Sequence, residues 1–417
     1  MNSIKKIKIP SELSKLARVF PVDLYIVGGY VRNQILGIDQ GDIDLCSSLS
    51  VNSLAKIVDA CGFSVKYMNK QLGTAKLVYE DKVYDYATFR TERYGDDKNH
   101  KPCHIEFIDS IEEDAKRRDF TINAIYYNIN KESITDFFNG TQDLRKGIVR
   151  AIGVPDDVMQ NDGERIIRMI RFSAEFRFKI DKATLASAYR NLENLNGINP
   201  ERIMYEIYKI LYCDSRYDIK YRKSYLKNSL KLLNRMCVWK YIGLEVDRVN
   251  YNMVRRVKEK ALGLLIDMVD TVNPASVSYF LFKVLKPVQI AQKKINQIVN
   301  IVSGYYDALN KKSNKQYFFK YFDNFEAIHA LLAEKNKIIA QKYHFFYKYI
   351  ISHHLVITQK DLKVNSKDLK ERFPSIPVKN HAEILEEVLS DVFDGMYPNE
   401  KEIILDEIEN KMTLRKK

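Results

Sequence analysis

Two periodicities divide the chain. Up to about residue 150, apolar and polar positions alternate in both a two-residue and a helical rhythm; from about residue 156 onward the helical rhythm alone persists. LYIVGG (24–29) predicts a short strand ended by glycines, and DIDLCSS (42–48) a second. VNSLAKIVDACG places Leu54, Ile57 and Val58 on one helical face with Gly62 as a stop. TAKLVYEDKVYDYATF predicts a hairpin turning at Glu80-Asp81-Lys82, and the polar, proline-ended TERYGDDKNHKP (91–102) predicts a mobile loop. DSIEEDAKRRDFTINAIYYN (109–128) predicts one helix, with Ser110 as its cap and Glu113 completing a capping box. Beyond it NDGERIIRMIRFSAEF, PERIMYEIYKIL and PASVSYFLFKVL read as helices, and NKKSNKQ (310–316) as an exposed turn between helices. From about residue 351 the helical pieces are broken by prolines. The fold class expected is α+β: a head with a small mixed sheet, followed by an all-helical remainder.

Composition narrows the class. A chain of 417 residues exceeds one ordinary core, so about two to four domains are expected. With 46% hydrophobic and 29% charged residues and no run of eighteen apolar ones, the pattern is that of a soluble globular protein without a membrane span. The N-terminus MNSIKKIKIP is basic but lacks the apolar core of a signal peptide. Five scattered cysteines with no CxxC suit reduced thiols in a cytoplasm better than disulfides or zinc. The seven histidines form no HExxH pattern. The net charge of +13 is unevenly placed: residues 1–150 carry 22 basic and 21 acidic side chains, leaving 45 against 33 behind them. A near-neutral front and a basic remainder suggest chemistry in front and a polyanion held behind. A lysine-rich composition accounts for the charge equally well.

The candidate chemistry starts in GGYVRNQILGIDQGDIDL (28–45). On a strand, residues i and i+2 share a face, so Asp42 and Asp44 present two carboxylates together while Ile43 and Leu45 face the core. Close carboxylates repel unless a cation lies between them. Mg²⁺ suits such oxygens and leaves positions for phosphate. Two such ions, about 3.5–4 Å apart, would activate a hydroxyl and stabilise a leaving pyrophosphate. Gly28 and Gly29 let backbone N–H groups approach a phosphate, and Arg32 adds a charge-assisted contact. Asp85, in VYDYATF, is a carboxylate on an adjacent strand; it needs either a shared metal or a salt bridge such as one to Lys76.

These residues resemble the class II tRNA nucleotidyltransferase/poly(A) polymerase family, within the polymerase β-like nucleotidyltransferase superfamily. The first motif there is close to GGxVRDxLLG followed by DxD, and here Asn33 stands for the usual aspartate that would orient the arginine. RRDFTINAI (117–125) matches intact, DLRKGIVRAIG (143–153) follows, and NDGERIIRMIRF (161–172) matches EDxxRxxRxxRF with Asn161 for glutamate. PERIMYEIYKIL (200–211) resembles the next helix of the family. The resemblance implies template-independent nucleotide addition to an RNA 3′ end. Asp42 and Asp44 would hold the metals, with Asp85 as third carboxylate. Gly28, Gly29 and Arg32 would hold the triphosphate, and Arg118, Asp119 and Asn123 would read the ribose. An Asp114–Arg118 surface pair is the plainer reading of that segment. Asp162 would accept from the exocyclic amino group of cytosine or adenine and Arg165 would donate to the ring nitrogen, leaving uracil and guanine unmatched. Arg168 and Arg171, at three-residue steps, would reach the phosphates. NDGE is also a good helix start, with Asn161 as cap.

The resemblance implies a head (1–150), a neck (151–215), a body (216–310) and a tail (311–417). HLVITQKDL (354–362) and ILEEVLSDVFDGMYPNEKE (384–402) resemble the C-terminal region of bacterial enzymes that build the CCA end of tRNA from CTP and ATP, although VNSKDLKERFPSIPVKNH replaces a usual glycine–proline segment. The expected partners are therefore tRNA, CTP and ATP, in the cytoplasm. Poly(A) addition, partial CC or A addition, small-molecule nucleotidyl transfer and an inactive RNA-binding protein are the competing readings. The basic remainder would grip tRNA phosphates by shape. The tyrosine-rich QYFFKYF and YHFFYKY serve either RNA stacking or the core.

Overall fold

The computed structural model describes residues 7–39, 41–95, 102–217, 225–242, 292–310 and 313–414, with Val249, Tyr251 and Val254. The described residues up to 254 form one compact unit and those from 292 onward another.

The first unit opens with α1 (Ser11–Val19), β1 (Tyr25–Val27), α2 (Gly29–Ile35), β2 (Asp44–Ser47) and α3 (Val51–Val58). Then follow β3 (Ser64–Asn69), β4 (Thr74–Tyr79), β5 (Lys82–Thr88), β6 (Arg90–Tyr94), β7 (Pro102–Phe107), α4 (Ile111–Lys116), β8 (Tyr126–Asn128) and β9 (Ser133–Thr135). Seven strands make one mixed sheet in the order β3-β4-β5-β2-β1-β8-β9, while β6 and β7 pair separately. Within the sheet β2 and β5 are the parallel neighbours, with Asp44 in register with Asp85. A parallel pair needs a crossover, and α3 with β3 and β4 supplies it. The hairpin between β4 and β5 turns where expected: Tyr79 pairs with Lys82, and Glu80 takes a positive φ of 51°. Along β5, Tyr84, Tyr86 and Thr88 are buried while Val83 and Asp85 are exposed. The expected placing of Ile43 and Leu45 toward the core also holds.

Three expectations are corrected here. The helix expected over 109–128 stops at Lys116; Thr121–Asn123 is a single tight turn and Tyr126–Asn128 is strand β8. Its start is as expected, with the Ser110 hydroxyl accepting from the Glu113 N–H. The stop follows from burial: Phe120, Ile122, Ala124, Ile125 and Tyr126 are all fully buried, and the interleaved Thr121 and Asn123 are buried too, so no exposed face remains for a surface helix. The stretch expected as a mobile loop instead supplies β6 and the first residue of β7, with residues 96–101 outside the described set. Arg90 and Arg117 both pair with Glu92, which fixes the ribbon's base against α4. Asn161 does not cap the next helix. It ends α6 (Pro155–Asn161), after α5 (Gly140–Lys146), and Asp162 is extended before α7 (Glu164–Phe176) begins. The Asp162 carboxylate, not Asn161, accepts from the Glu164 N–H at 3.0 Å.

Behind α7 come α8 (Lys182–Arg190) and α9 (Pro200–Leu211); α9 begins and ends where PERIMYEIYKIL does. The second unit is helical over Gln292–Leu309, Asn314–Tyr321, Phe325–Lys335, Lys337–Ser352, Ser366–Arg372, His381–Phe393 and Lys401–Leu414. Its tyrosines and phenylalanines resolve the choice between stacking and core: Tyr317, Phe318, Tyr321 and Tyr343 are buried, whereas Phe345 and Tyr349 are exposed. The expected turn 310–316 is shorter, because Ser313 caps a helix that starts at Asn314. PASVSYFLFKVL lies outside the described residues. No described helix is long and apolar enough to cross a membrane.

Gly163 lets α7 start against the turn at Leu192–Leu195. A Cβ there would sit 2.1 Å from the Asn194 carbonyl oxygen, backbone that cannot swing aside. Gly163→Ala is expected to lower the unfolding free energy by about 1–3 kcal/mol, read from urea denaturation; an unchanged midpoint would contradict that close approach.

Candidate active site

Strand β1 delivers the chain to Gly28, whose φ of +76° disfavours a side chain, and α2 starts on Gly29. Arg32 therefore turns inward and is buried. Its Nε and Nη2 donate to the Asn33 Oδ1 at 3.1 and 3.0 Å, and its Nη1 donates to the Asn123 Oδ1. Asn33 thus keeps the orienting contact that the family's aspartate implied; what it lacks is the charge. Burial pulls the Arg32 guanidinium down to about 10.

Asp44 stands at the start of β2, with exposed Asp42 two residues before it. Burial pushes the Asp44 carboxyl up to about 6; Arg118 opposes the shift, and Asp85 and Asp42 add to it. A carboxylate buried beside other carboxylates suits a cation, and Asp42 and Asp44 are oxygen donors of the kind a divalent ion takes. Asp85 is less available. Its Oδ1 accepts from the Lys76 Nζ at 2.6 Å, the salt bridge that was the alternative reading of this residue, although both groups are half-exposed and the pair is weak. Among the described residues no group of three or more acidic, cysteine or histidine side chains is arranged to hold a metal.

The RRDFTIN segment places its charges differently from a surface helix. Arg118 donates to the Tyr126 hydroxyl at 2.8 Å and to the Asp114 Oδ2 at 3.2 Å, and Asp114 is fully buried, so the pair is no surface contact. Asp119 and Asn123 meet as expected, with Asn123 Nδ2 donating at 3.0 Å, though a tight turn rather than a helix brings them together. Asp119 pairs with Arg168 of α7, not with Arg118: Arg168 Nε and Nη2 donate to its Oδ2 at 2.9 and 2.6 Å. Burial works against the charge on Asp119, but Arg168 and Asn123 outweigh it and hold the carboxyl down at about 2.

On α7, Arg165 donates to the main-chain oxygens of Val158 at 3.3 Å and Arg117 at 2.8 Å. Arg171 is buried, and its donors go to Glu206 and Glu175. Its guanidinium clamps α7 to α9, where reach to a phosphate was expected. Ion pairing in a buried setting outcompetes a free position here.

Gly28, Gly29, Arg32, Asp42, Asp44, Arg118, Asp119, Asn123, Asp162, Arg165, Arg168 and Arg171 all line one open cleft of about 510 Å³; of the residues singled out in the sequence, Asp85 alone does not. Eight cationic and six acidic side chains line it, which suits a charged, polyphosphorylated ligand rather than an apolar one. Sequence reasoning missed Glu92, Arg117, Arg202, Lys209 and Tyr217 in this cleft. Arg202 and Lys209 lie seven residues apart on one face of α9, a spacing legible in the sequence. Glu92 was hidden by the polarity of its segment.

Two family descriptions match the chain: poly(A) polymerase head domain over residues 24–150, and tRNA nucleotidyltransferase domain 2 over residues 258–408. A CCA-adding enzyme of Staphylococcus aureus (strain MRSA252) is 29% identical over 307 residues, 72% of this chain and 70% of that protein. The crystal structure of the Bacillus stearothermophilus CCA-adding enzyme in complex with CTP matches with a TM-score of 0.60 and 24% identity, over 97% of this chain and 98% of that one. The Thermotoga maritima CCA-adding enzyme complexed with tRNA matches with a TM-score of 0.57 and 22% identity, over 98% and 97%. At these identities the structural likeness establishes the fold.

The pairing of Asp119 has a measurable consequence. Its folded-state pKa lies below the ordinary carboxylate value of 3.8, so the stability it confers is present above about pH 4 and lost as pH falls toward 2. A shift of that size corresponds to about 2 kcal/mol at neutral pH. Asp119→Asn is expected to destabilise the protein by at least that amount at pH 7, with the gap narrowing below pH 4; a gap independent of pH in denaturant titrations would contradict the pairing.

Proposed function

Because the chain belongs to the tRNA nucleotidyltransferase/poly(A) polymerase family, we propose that it adds C, C and A to the 3′ end of tRNA from CTP and ATP without a nucleic-acid template. The observation that carries this reading is the meeting of three separated motifs in one cleft: the glycine–arginine–DxD stretch, RRDFTIN, and the start of α7. The CCA-adding enzymes among the relatives favour CCA addition over poly(A) addition.

In this reading Gly28, Gly29 and Arg32 bind the triphosphate. Asp42 and Asp44 are the residues that would hold Mg²⁺, with Asp85 beside them once Lys76 yields. The ion, when bound, activates an RNA 3′-hydroxyl and stabilises the departing pyrophosphate. The 3′-oxygen bonds to the α-phosphorus as the bond to pyrophosphate breaks. Asn123 and Asp119, with Arg118 beside Gly28, face the ribose. Asp162 accepts from the exocyclic amino group shared by cytosine and adenine, and Arg165 donates to the adjacent ring nitrogen. Uracil and guanine present the reverse pattern and leave buried groups unpaired, which is how a protein site rejects a base. Arg168 and Arg171 serve this set by fixing Asp119 and α9. Asn161 ends α6 directly before Asp162, so the residue preceding the base reader acts through the backbone here. The division into head, neck, body and tail, the cytoplasmic location and the grip of the basic helices on tRNA phosphates belong to the same proposal.

The test is incorporation assays with Mg²⁺, CTP and ATP on tRNAs ending before CCA, at C and at CC. The expected result is completion to CCA followed by a stop, abolished by Asp42→Ala and Asp44→Ala while tRNA binding persists. Unlimited A addition would establish a poly(A) polymerase instead. Arrest after CC, or addition of the final A alone, would establish a partial enzyme.

A further inference from the structure

Phe172 and Phe176 lie one turn apart on α7, with ring centroids 6.3 Å apart and an interplanar angle of 17°. The Arg32 guanidinium rests over both, 4.4 Å from the Phe176 centroid and 5.2 Å from that of Phe172. Phe172 also receives Arg171 at 4.0 Å and Arg168 at 5.4 Å, so three cleft arginines share one ring. On its other flank Phe176 stacks with Tyr217, centroids 5.5 Å apart and planes 20° apart.

Arg32 is a buried cation whose hydrogen-bond acceptors are the neutral amide oxygens of Asn33 and Asn123; among the described residues no carboxylate forms an ion pair with it. A buried guanidinium ordinarily requires a counter-charge. An aromatic face offers a different solution, because its quadrupole attracts the cation without neutralising it. A carboxylate in that place would compete with an incoming phosphate; a phenyl ring does not.

We propose that Phe176, with Phe172 beside it, is the positioning seat of Arg32. The stacked rings fix the direction of the head's phosphate-holding guanidinium and leave its charge available. The helix that carries Arg165, with Asp162 just ahead of its start, therefore also sets the triphosphate contact. The inference rests on the reading of the cleft as a nucleotide site. Neither ring touches the reacting atoms, and neither distinguishes CTP from ATP, since the triphosphate is common to both.

The test is steady-state incorporation of CTP and ATP on tRNA by the full chain carrying a trifluorinated phenylalanine at position 176, alongside Phe176→Leu. Fluorination nearly conserves shape while removing the negative potential of the ring face. The KM for both nucleotides is expected to rise together by about tenfold, equivalent to about 1.4 kcal/mol, with kcat held within about twofold and the thermal midpoint of the fluorinated protein unchanged. An unchanged KM on fluorination, with loss of stability in Phe176→Leu, would assign the ring to packing and overturn the proposal. A KM change for one nucleotide alone would also overturn it. Failure of the unmodified chain to extend tRNA would instead overturn the reading of the cleft on which the proposal depends.

Discussion

The cleft depends on one buried carboxylate. Asp119 Oδ1 accepts from the Phe120 N–H and the Asn123 side chain, and its Oδ2 accepts twice from Arg168. The oxygen of the same Asn123 amide holds Arg32, and Arg32 is held again by Asn33. A continuous chain of hydrogen bonds thus runs from α2, through the RRDFTIN turn, to α7. Residues that the sequence keeps far apart are set at fixed separations because each has its donors and acceptors engaged by the next. A carboxylate in this setting is stabilising only as a fully paired group, since removing one partner leaves the other buried and charged.

Around that chain the charges fall into two kinds. Arg118, Arg165, Arg168 and Arg171 each have carboxylate or main-chain acceptors within the protein. Arg32 and the Asp42–Asp44 pair are less fully compensated: the first has neutral acceptors and ring faces, and in the second burial raises the affinity of Asp44 for protons, with Asp85 and Asp42 adding to it. Uncompensated groups of opposite sign in one cleft are what a metal–triphosphate ligand would complete. The ion-paired Arg118, Arg168 and Arg171 hold the frame, and the groups without a counter-charge are those a ligand would complete.

Much of this was legible in the sequence, for specific reasons. Gly62 marks the end of the helical segment after β2, and the hairpin at Glu80-Asp81 follows from alternation in the flanking strands. The site residues were legible because motif spacing records which elements must converge. Pairing was not. That Arg168 would choose Asp119, and Arg171 choose Glu206, depends on how α7 rotates against the head and α9, which no local pattern encodes. The 109–128 segment was misread because a capped start was followed by a stretch in which apolar and polar residues alike are buried, and burial on all sides favours an internal strand over a surface helix. Residues 91–94 of the segment 91–102 were misread because polar composition resembles a loop, while the Glu92 side chain is enclosed by two arginines.

The central claim is that protein side chains, without a template strand, choose the base within this cleft. It is tested most directly by calorimetric binding of CTP, ATP, UTP and GTP to the protein in the absence of RNA. The account predicts that CTP and ATP bind and displace one another from a single site, that UTP and GTP bind at least about tenfold more weakly, in line with the cost of an unpaired buried polar group, and that Asp162→Ala removes the difference. Equal affinity for all four nucleotides in the unmodified protein would contradict it.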